Sequence, residues 1–574
     1  DLEFSQVTEG ASANIKFTAK KHYLGEDGFF HLEGNVELQK LNKEGERKVF
    51  LSGDEVMYDK DMTRMSLTGN AVVEIKDMTA KSLSIEYSEE DQIYRSGKGV
   101  ELVSAKINGR AGRMEFSEAE ETLKLMDGVE VDLLSNLDSE VPVSIKSEYF
   151  DYRKVGKRGS AQGEVQLAQG ESWASAGSLE YVLTPDEDYV RDLFLKEGVK
   201  AVIVRETDPS ENGEQDSSLS LHGDRREVEA GTLYIQGFTD LSQVHLIRAT
   251  AGALFRFWAA DGAATEIQAD SIDFVLARSG KLREFHALKE AVIVEKNPEG
   301  RVVRHLEGEN LTIQDQKNIL HVEGGKERDA FFLFEGNEIT AGEILFNIDD
   351  GSFEAQGGTQ IILQLKSEEG QPPGMFTADT PIYVSADSVR YSSEDKRFHF
   401  KKAIKIWQDD TSLQADDLSL NEETGEIQCE GKVLSVFMFR SNESKERRQI
   451  RISADKMHFT PDERIMSFDG NGKVQVSDIT VQAKKVSVRM SEEKGMLVDI
   501  LANSDVRFLQ GRRTGKSKEA RYDLEKEIIV LTGDPEIEDL DKGKFQGDKL
   551  TFHMADDKIV VENKGQERSV TVIK

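Results

Sequence analysis

The amino-acid sequence predicts an all-β protein in which about sixteen two-strand units stack into an elongated array. Three observations support this class. Apolar and polar residues alternate along most of the chain, as they do in strands that bury one face. One composite pattern recurs at intervals of roughly 27 to 54 residues, and a unit that cannot bury its apolar face alone must stack on its neighbours. Neither a 3.6-residue periodicity nor helix caps recur between the units.

The first half of each unit begins at a small residue and carries apolar residues three and five positions later. Because side chains alternate between the two faces of a strand, these two apolar residues are expected to point inward together. Weaker copies begin at Ala19, Ala230 and Ser517. The clear copies are Gly53, Val56, Tyr58; Ala80, Leu83, Ile85; Ala111, Met114, Phe116; Ser147, Phe150, Tyr152; Ala176, Leu179, Tyr181; Ala269, Ile272, Phe274; Gly308, Leu311, Ile313; Ala341, Ile344, Phe346; Ala386, Val389, Tyr391; Ala415, Leu418, Leu420; Ala454, Met457, Phe459; Ala483, Val486, Val488; and Gly547, Leu550, Phe552.

A polar turn and a second alternating stretch complete the unit. The turns, such as SSEDKR and NEETGE, are rich in residues that reverse a chain. The second stretch commonly opens with glycine, as in GNVEL at Gly34 and GKVLSV at Gly431. The pattern therefore predicts that glycine commonly marks the start of the second strand.

Composition restricts the classes of function. The chain has 574 residues and a net charge of −33, so it offers no basic surface for nucleic acid. Its 38% hydrophobic residues, in alternating order and with only 9 prolines, favour folding over disorder. Cys429 is the single cysteine, which excludes an intrachain disulfide and predicts a small buried strand residue. No stretch is long and apolar enough to predict a membrane-spanning helix.

Several of these units resemble the OstA domains of the bacterial lipopolysaccharide-transport apparatus, the family of LptA, LptC and the periplasmic part of LptD. The segment FTAKKHYLGEDGFFHLEGNVELQ at residues 17–39 reads like the opening of an LptC-type domain. The resemblance is also carried by the units ADSVRYSSEDKRFHFKKAIKIW from Ala386, ADDLSLNEETGEIQCEGKVLSV from Ala415, ADKMHFTPDERIMSFDGNGKVQV from Ala454 and AKSLSIEYSEEDQIYRSGKGVEL from Ala80. It extends over nearly the whole chain and is weakest at residues 205–264. The chain is several times longer than single-domain members.

The resemblance implies an open β-jellyroll, in which two facing antiparallel sheets enclose an apolar groove for the acyl chains of lipopolysaccharide. If each unit adds one rung to both sheets, sixteen units reach roughly 75 Å. The groove candidates are the apolar residues of the clearest units: Leu83, Ile85, Met114, Phe116, Leu179, Tyr181, Ile272, Phe274, Ile344, Phe346, Val389, Tyr391, Leu418, Leu420, Met457 and Phe459.

The same resemblance implies where the protein acts and with what. We expect a periplasmic protein, whose inner-membrane anchor, if there is one, lies in an N-terminal segment outside this chain. The expected partners are lipopolysaccharide or a similar glycolipid, and other OstA-domain transport proteins that add to the edge strands at the ends of the array.

Two polar, turn-rich segments interrupt the rhythm of the units, at residues 206–218 and 367–381. They divide the chain into N-terminal OstA/LptC-like repeats at 1–205, central repeats at 219–366 and C-terminal OstA-like repeats at 382–574. An exposed insertion in a continuous array is the alternative interpretation of either segment.

No catalytic or metal-binding constellation emerges, so we expect neither an enzyme nor a cofactor. The segment GRRTGKS at residues 511–517 is one residue short of a phosphate-binding loop, and neither HExxH nor GxSxG is present. The resemblance implies a bridge that conducts lipopolysaccharide or a related glycolipid between the inner and outer membranes along the apolar groove. Two alternatives to this function stay open. A structural or adhesive repeat protein would fill its interior, whereas a β-solenoid polysaccharide enzyme would show short coils, stacked asparagines and a cluster of acids or bases.

Overall fold

The computed structural model describes residues 2–7, 14–42, 45–133, 142–185, 190–204, 225–238, 243–314, 318–364, 376–377, 380–440, 447–491, 497–554, 558–563 and 570–572. Every helix or strand element among them is a β-strand, which confirms the all-β prediction. The predicted joints lie wholly (206–218) or largely (367–381) outside the described residues. The strands on either side of each joint pair with each other, β16 with β17 and β26 with β27 in the numbering that follows.

The strands are β1 (Leu2–Val7), β2 (Asn14–Ala19), β3 (Lys21–Leu24), β4 (Phe30–Leu41), β5 (Arg47–Tyr58), β6 (Arg64–Ile75), β7 (Met78–Ser88), β8 (Ile93–Ser96), β9 (Val100–Val103), β10 (Ile107–Ala111), β11 (Arg113–Ser117), β12 (Thr122–Leu133), β13 (Val143–Arg153), β14 (Arg158–Gln169), β15 (Ser172–Leu183), β16 (Val190–Val204), β17 (Arg225–Gly237), β18 (Val244–Trp258), β19 (Ala264–Leu276), β20 (Leu282–Lys296), β21 (Val302–Ile313), β22 (Ile319–Glu323), β23 (Ala330–Phe334), β24 (Asn337–Ala341), β25 (Glu343–Asn347), β26 (Phe353–Leu363), β27 (Ile382–Ser392), β28 (Arg397–Gln408), β29 (Thr411–Asn421), β30 (Ile427–Arg440), β31 (Arg447–Thr460), β32 (Ile465–Val476), β33 (Ile479–Met490), β34 (Leu497–Gln510), β35 (Arg513–Asp523), β36 (Ile528–Thr532), β37 (Glu536–Asp539), β38 (Gly543–Gln546), β39 (Lys549–His553), β40 (Lys558–Glu562) and β41 (Val570–Val572).

Most strands bend near the middle and so contribute to two layers. β4 and β5 pair antiparallel on both sides of a break in register between Glu33 and Val36. Comparable breaks recur in pair after pair along the chain. We call the side of the bend that holds residues 36–41 and 47–53 layer A, and the side that holds residues 30–33 and 55–58 layer B. Shorter strands such as β8 and β9 are the layer B and layer A parts of one interrupted strand.

The bend consists of two left-handed residues on one strand opposite a single residue on the next. In β6 these are Gly69 and Asn70, with φ of 68° and 48°, opposite Asp54. Glycine reaches this conformation at little cost, whereas another residue pays about 1–2 kcal/mol. The prediction that glycine starts the second strand is therefore wrong: β6 begins at Arg64, and its glycine lies at mid-strand.

Outside β7, the small residue of a clear unit, such as Gly53, lies on the inside of the same bend. A Cβ added to Gly53 would lie 3.2 Å from the carbonyl oxygen of Thr68, so the approaching neighbour strand restricts side-chain size there. The two apolar residues that follow, Val56 and Tyr58, are 0% and 4% exposed and point inward in layer B. The predicted pattern is thus a signature of the bend.

In β7 the predicted frame is two residues early. Leu83 is the residue left unpaired at the bend and is 64% exposed, so its assignment to the inner face is wrong. Ser82 takes the place of the small residue, and Ile85 and Tyr87 follow it at the third and fifth positions with 0% and 2% exposure. The error arose because Ala80 and Ser82 are both small enough to start the pattern.

The bends also change the expected length of the array. Each strand serves both layers, so a two-strand unit adds two rungs to each layer instead of one. The pairing runs continuously through just over thirty strands in either layer among the described residues, which at about 4.8 Å per strand gives roughly 150 Å, twice the predicted length.

Layers A and B face each other across one continuous core. Phe332 of layer A lies 5.0 Å from Phe346 and 5.6 Å from Phe353 of layer B, measured between ring centroids. The two layers thus form the walls of a jellyroll. The bends run along one side of it, and on the other side the hairpin turns of layer A face those of layer B; we call this second side the mouth.

Candidate functional site

An apolar cavity of about 610 Å³ lies between the two layers, with walls drawn from residues between Ile75 and Ile235. It is open toward the mouth side, where turn residues from both layers contribute to its lining. Layer A contributes Leu102, Leu133, Ile145, Leu167, Ala174 and Ala201, and layer B contributes Phe116, Leu123, Tyr152, Leu179, Tyr181, Leu195 and Leu233.

Small side chains on layer A leave this space. Leu167 pairs with Ala174, and Ala174 pairs with Ala201, so two neighbouring strands present alanine at the same inner level. A void persists where no partner atoms fill it, and an apolar void of this size is suited to an apolar ligand.

Cross-layer ion pairs close the mouth just N-terminal to the cavity. Lys40 of β4 lies 3.2 Å from Glu89 in the layer B turn after β7, and Lys48 of β5 pairs with Glu118 in the layer B turn after β11. Each pair joins layer A to a layer B turn several strands further along the chain. These contacts show which part of layer B each part of layer A faces.

A third cross-layer pair lies at the cavity itself. Lys76, in the layer A turn between β6 and β7, pairs with Glu121 in the layer B turn before β12, and both residues line the cavity. The hydrogen bond from Lys76, with its charge, holds the pKa of Glu121 below its usual range. Lys106 and Lys154 line the cavity from the next turns of layers A and B.

Fifteen of the sixteen predicted groove residues divide into two groups. Phe116, Leu179 and Tyr181 line the cavity. Twelve others, each 5% exposed or less, belong to the packed core: Ile85, Met114, Ile272, Phe274, Ile344, Phe346, Val389, Tyr391, Leu418, Leu420, Met457 and Phe459. Leu83, as described above, points outward.

Aromatic rings fill the interior between residues 330 and 400, which we call the aromatic segment. Phe353 lies 5.4 Å from Tyr391, and Tyr391 lies 4.6 Å from Phe398, measured between ring centroids. These rings and Phe332 fill the space between the two layers in this segment, whereas the corresponding space is empty at the cavity. Two predicted groove residues, Phe346 and Tyr391, belong to this cluster.

The small-residue pattern locates the layer B wall and misses the layer A wall. Two wall residues of layer A, Ile145 and Ala174, stand two positions before the small residues Ser147 and Ala176. Counting two residues back from the small residue, so that strand alternation continues through the bend, would therefore have predicted these layer A positions. The lysine and glutamate residues of the mouth have no such signal, because they lie in turns or, like Lys40 and Lys48, at strand ends next to a turn.

The described residues offer little other chemistry. No group of three or more histidine, cysteine, aspartate or glutamate side chains in this part of the chain is placed to hold a metal ion. Cys429 is 2% exposed, as predicted for a buried strand residue, and burial raises the pKa of its thiol. Within the same residues, no helix of the length and apolarity needed to cross a membrane is present.

Comparison with known proteins gives a family match in the C-terminal third of the chain and individual relatives that each cover about one fifth of it. A family described as "LptA/(LptD N-terminal domain) LPS transport protein" matches residues 383–494 and 451–558. The lipopolysaccharide export system protein LptA of Escherichia coli K12 is 28% identical over 130 residues, which are 22% of this chain and 70% of that protein. LptA of Haemophilus influenzae is 27% identical over 131 residues, 22% of this chain and 76% of that protein.

Among solved structures, LptH of Pseudomonas aeruginosa, described as an LptA-homologous periplasmic component of the lipopolysaccharide transport device, aligns with 22% of this chain and 94% of its own. The aligned parts are 12% identical, with a TM-score of 0.20.

Proposed function

We propose that this chain, a member of the OstA-like family of lipopolysaccharide-transport proteins, holds lipopolysaccharide or a related glycolipid between its two layers and conducts it across the periplasm. The observation that carries the proposal is the cavity of about 610 Å³ between Ile75 and Ile235. Its walls are apolar on both layers, and it opens at the mouth, where a headgroup can stay in water while acyl chains enter.

The energetics favour a lipid tail in this space. Each methylene group transferred from water to an apolar wall contributes about 0.8 kcal/mol, and this gain requires no catalytic side chain. Binding of this kind suits a family of transport proteins, and we infer that the protein is not an enzyme.

Passage along the whole array requires the aromatic segment to part. In the structure Val389 and Tyr391 are each 1% exposed and packed against other side chains. We infer that the cavity is the resting site of the lipid, and that the fifteen inward-facing candidates form the wall along which it moves when the layers separate. Leu83 is excluded from this wall.

Site-specific photo-crosslinking tests the proposal. A photoreactive residue at Leu179, inside the cavity, is expected to capture lipopolysaccharide in the loaded protein at rest. Glu180 is the matched control, because it follows Leu179 in β15 and points outward. A probe at Val389 is expected to label only while lipid is being delivered. Equal labelling at Leu179 and Glu180, or none at Leu179 in folded protein supplied with lipid, contradicts the proposal.

We also infer that other OstA-type domains add to the terminal strands of the array by β-augmentation. The described ladder of layer A ends at β1 and β41, and that of layer B at β3 and β40. Exposed strand edges are natural docking sites. Removal of residues 547–574 is expected to weaken binding of a partner domain while the remaining strands stay folded. Unchanged affinity speaks against this part of the proposal.

The aromatic segment favours a second candidate, a structural or adhesive repeat protein with a filled interior. Native mass spectrometry of the purified protein separates the two. Co-purified glycolipid that is lost when Ala174 is replaced by tryptophan supports conduction. A lipid-free protein that also fails to take up added lipopolysaccharide supports the structural role.

A further inference from the structure

Three lysine residues surround the opening of the cavity at the mouth. Lys76 and Lys106 lie in consecutive layer A turns, and Lys154 lies in the layer B turn after β13; all three line the cavity. This grouping contrasts with a chain whose net charge is −33. Two carboxylates, those of Asp77 and Glu121, line the cavity as well, so the opening holds three ammonium groups from both layers against two carboxylates.

Glu121 connects two of these lysines. Its carboxylate pairs with Lys76, and its carbonyl oxygen accepts a hydrogen bond from the backbone N–H of Lys154 at 3.1 Å. The positive charge of Lys154 adds to that of Lys76 in holding the pKa of Glu121 low. The carboxylate of Glu121 therefore lies between positive charges of both layers at the point where a ligand enters the cavity.

We infer that this rim binds the anionic headgroup, phosphate or carboxylate, of an amphiphile whose apolar tail occupies the cavity. This inference rests on the proposed function and specifies the charge of its ligand. An ammonium group binds a phosphate oxygen as readily as it binds a carboxylate. The incoming headgroup replaces Glu121 as the partner of Lys76, so that entry of an anionic lipid opens the cross-layer pair that narrows the mouth.

Amphiphiles that share a twelve-carbon tail separate the rim from the cavity. Isothermal titration of the full chain is carried out with dodecyl phosphate, laurate, dodecyl maltoside and dodecyltrimethylammonium below their micelle concentrations. Dodecyl phosphate is expected to bind about tenfold more tightly than the neutral maltoside, and the cationic probe most weakly. A comparable affinity of laurate assigns the rim to any anionic headgroup, whereas a preference for the phosphate assigns it to phosphorylated lipids.

Variants then assign the effect to the lysines. The double variant Lys106→Glu and Lys154→Glu is expected to lose the tenfold preference for dodecyl phosphate while it binds the maltoside as before. The matched control is Lys81→Glu with Lys200→Glu, two exposed outward positions of layer A in β7 and β16. Glu121→Gln removes the competing carboxylate and is expected to raise the affinity for dodecyl phosphate. The wild-type affinity for dodecyl phosphate is expected to fall with added salt, a measurement that needs no variant to fold.

The outcomes distinguish failure of the lysine rim from failure of the lipid-binding cavity. Equal binding of the anionic and neutral probes, with no effect of the lysine substitutions or of salt, overturns the rim and leaves the cavity proposal intact. Failure of all four probes to bind overturns the proposed function and the rim together.

Discussion

The cavity and the aromatic segment lie on the same bent strands but fill their interiors differently. At the inner level of layer A, the cavity presents Leu167, Ala174 and Ala201 on consecutive strands. At the start of the aromatic segment, Phe332 and Ile339 occupy this level next to Leu306 of the preceding layer A strand. The difference indicates that, on strands bent in the same way, side-chain volume on layer A contributes to whether the space between the layers is open or filled.

The two regions also differ at the mouth. At the cavity and just N-terminal to it, exposed lysines pair with glutamates of layer B turns. Next to the aromatic segment, Arg304 lies 3.0 Å from Glu295 and 4.7 Å from the ring centroid of Phe346, and both charged side chains are largely buried. Burial raises the pKa of Glu295. The cavity has an exposed polar rim, whereas the aromatic segment is capped by a buried pair.

The largest expected difference comes from removing a ring. Phe332→Ala is expected to destabilise the aromatic segment by about 3–5 kcal/mol, because a fully buried ring leaves a void. Phe116→Ala, at the half-buried wall of the cavity, is expected to cost about 1–2 kcal/mol. Hydrogen exchange read separately over residues 330–363 and 107–133 measures both. Equal losses mean that the two interiors are equally packed.

Adding a ring reverses the comparison. Ala355→Phe, at a position with 0% exposure in the aromatic segment, is expected to cost about 1–3 kcal/mol through overpacking. Ala174→Phe is expected to be nearly neutral, since its new ring enters existing space, and to reduce lipid uptake. Thermal unfolding and lipid loading of the two variants provide the test. A strongly destabilised Ala174→Phe protein shows that the cavity is already occupied by its own side chains.

Removal of a cation from the mouth side of each region is expected to change stability less than the substitutions that remove or add a ring. Arg304→Ala leaves Glu295 buried without this partner and is expected to cost about 1–3 kcal/mol. Lys40→Ala breaks a pair whose glutamate is 45% exposed and is expected to cost less than about 1 kcal/mol. Chemical denaturation monitored by segment-resolved exchange compares them. A larger loss from Lys40→Ala contradicts the assignment of buried and exposed pairs.

The smallest effect is an opposite response to pH. The pKa of Glu121 is lowered in the folded protein, so the stability from its pairing is present above the unfolded pKa and is lost as pH falls through the lower, folded value. The pKa of Glu295 is raised, so its contribution is present below the unfolded pKa and is lost as pH rises through the higher, folded value. Acidification is expected to loosen residues 76–78 and to tighten residues 291–296. Exchange rates at these amides across the acidic range check the two directions, and parallel trends refute them.

Local pattern was sufficient for much of the fold. Alternation predicted strands, and the small-residue pattern located the layer B positions that point inward, among them Ile85, Met114 and Leu179. It failed at Leu83, where two small residues stood in competing frames. It also placed Gly69 at the start of a strand, because a turn residue and a bend residue both favour a left-handed backbone.

The sequence by itself determined that the chain is an all-β array of repeated units with one apolar face, because strand period and bend are properties of a few adjacent residues. Only the tertiary structure decided which part of layer A faces which part of layer B. That pairing brings together residues several strands apart, such as Lys76 and Glu121, or Phe332 and Phe353. The open cavity and the filled core differ in the summed volume of the side chains that meet across the two layers. This volume depends on how the bent strands stack, and the local periodicity of the sequence does not contain it.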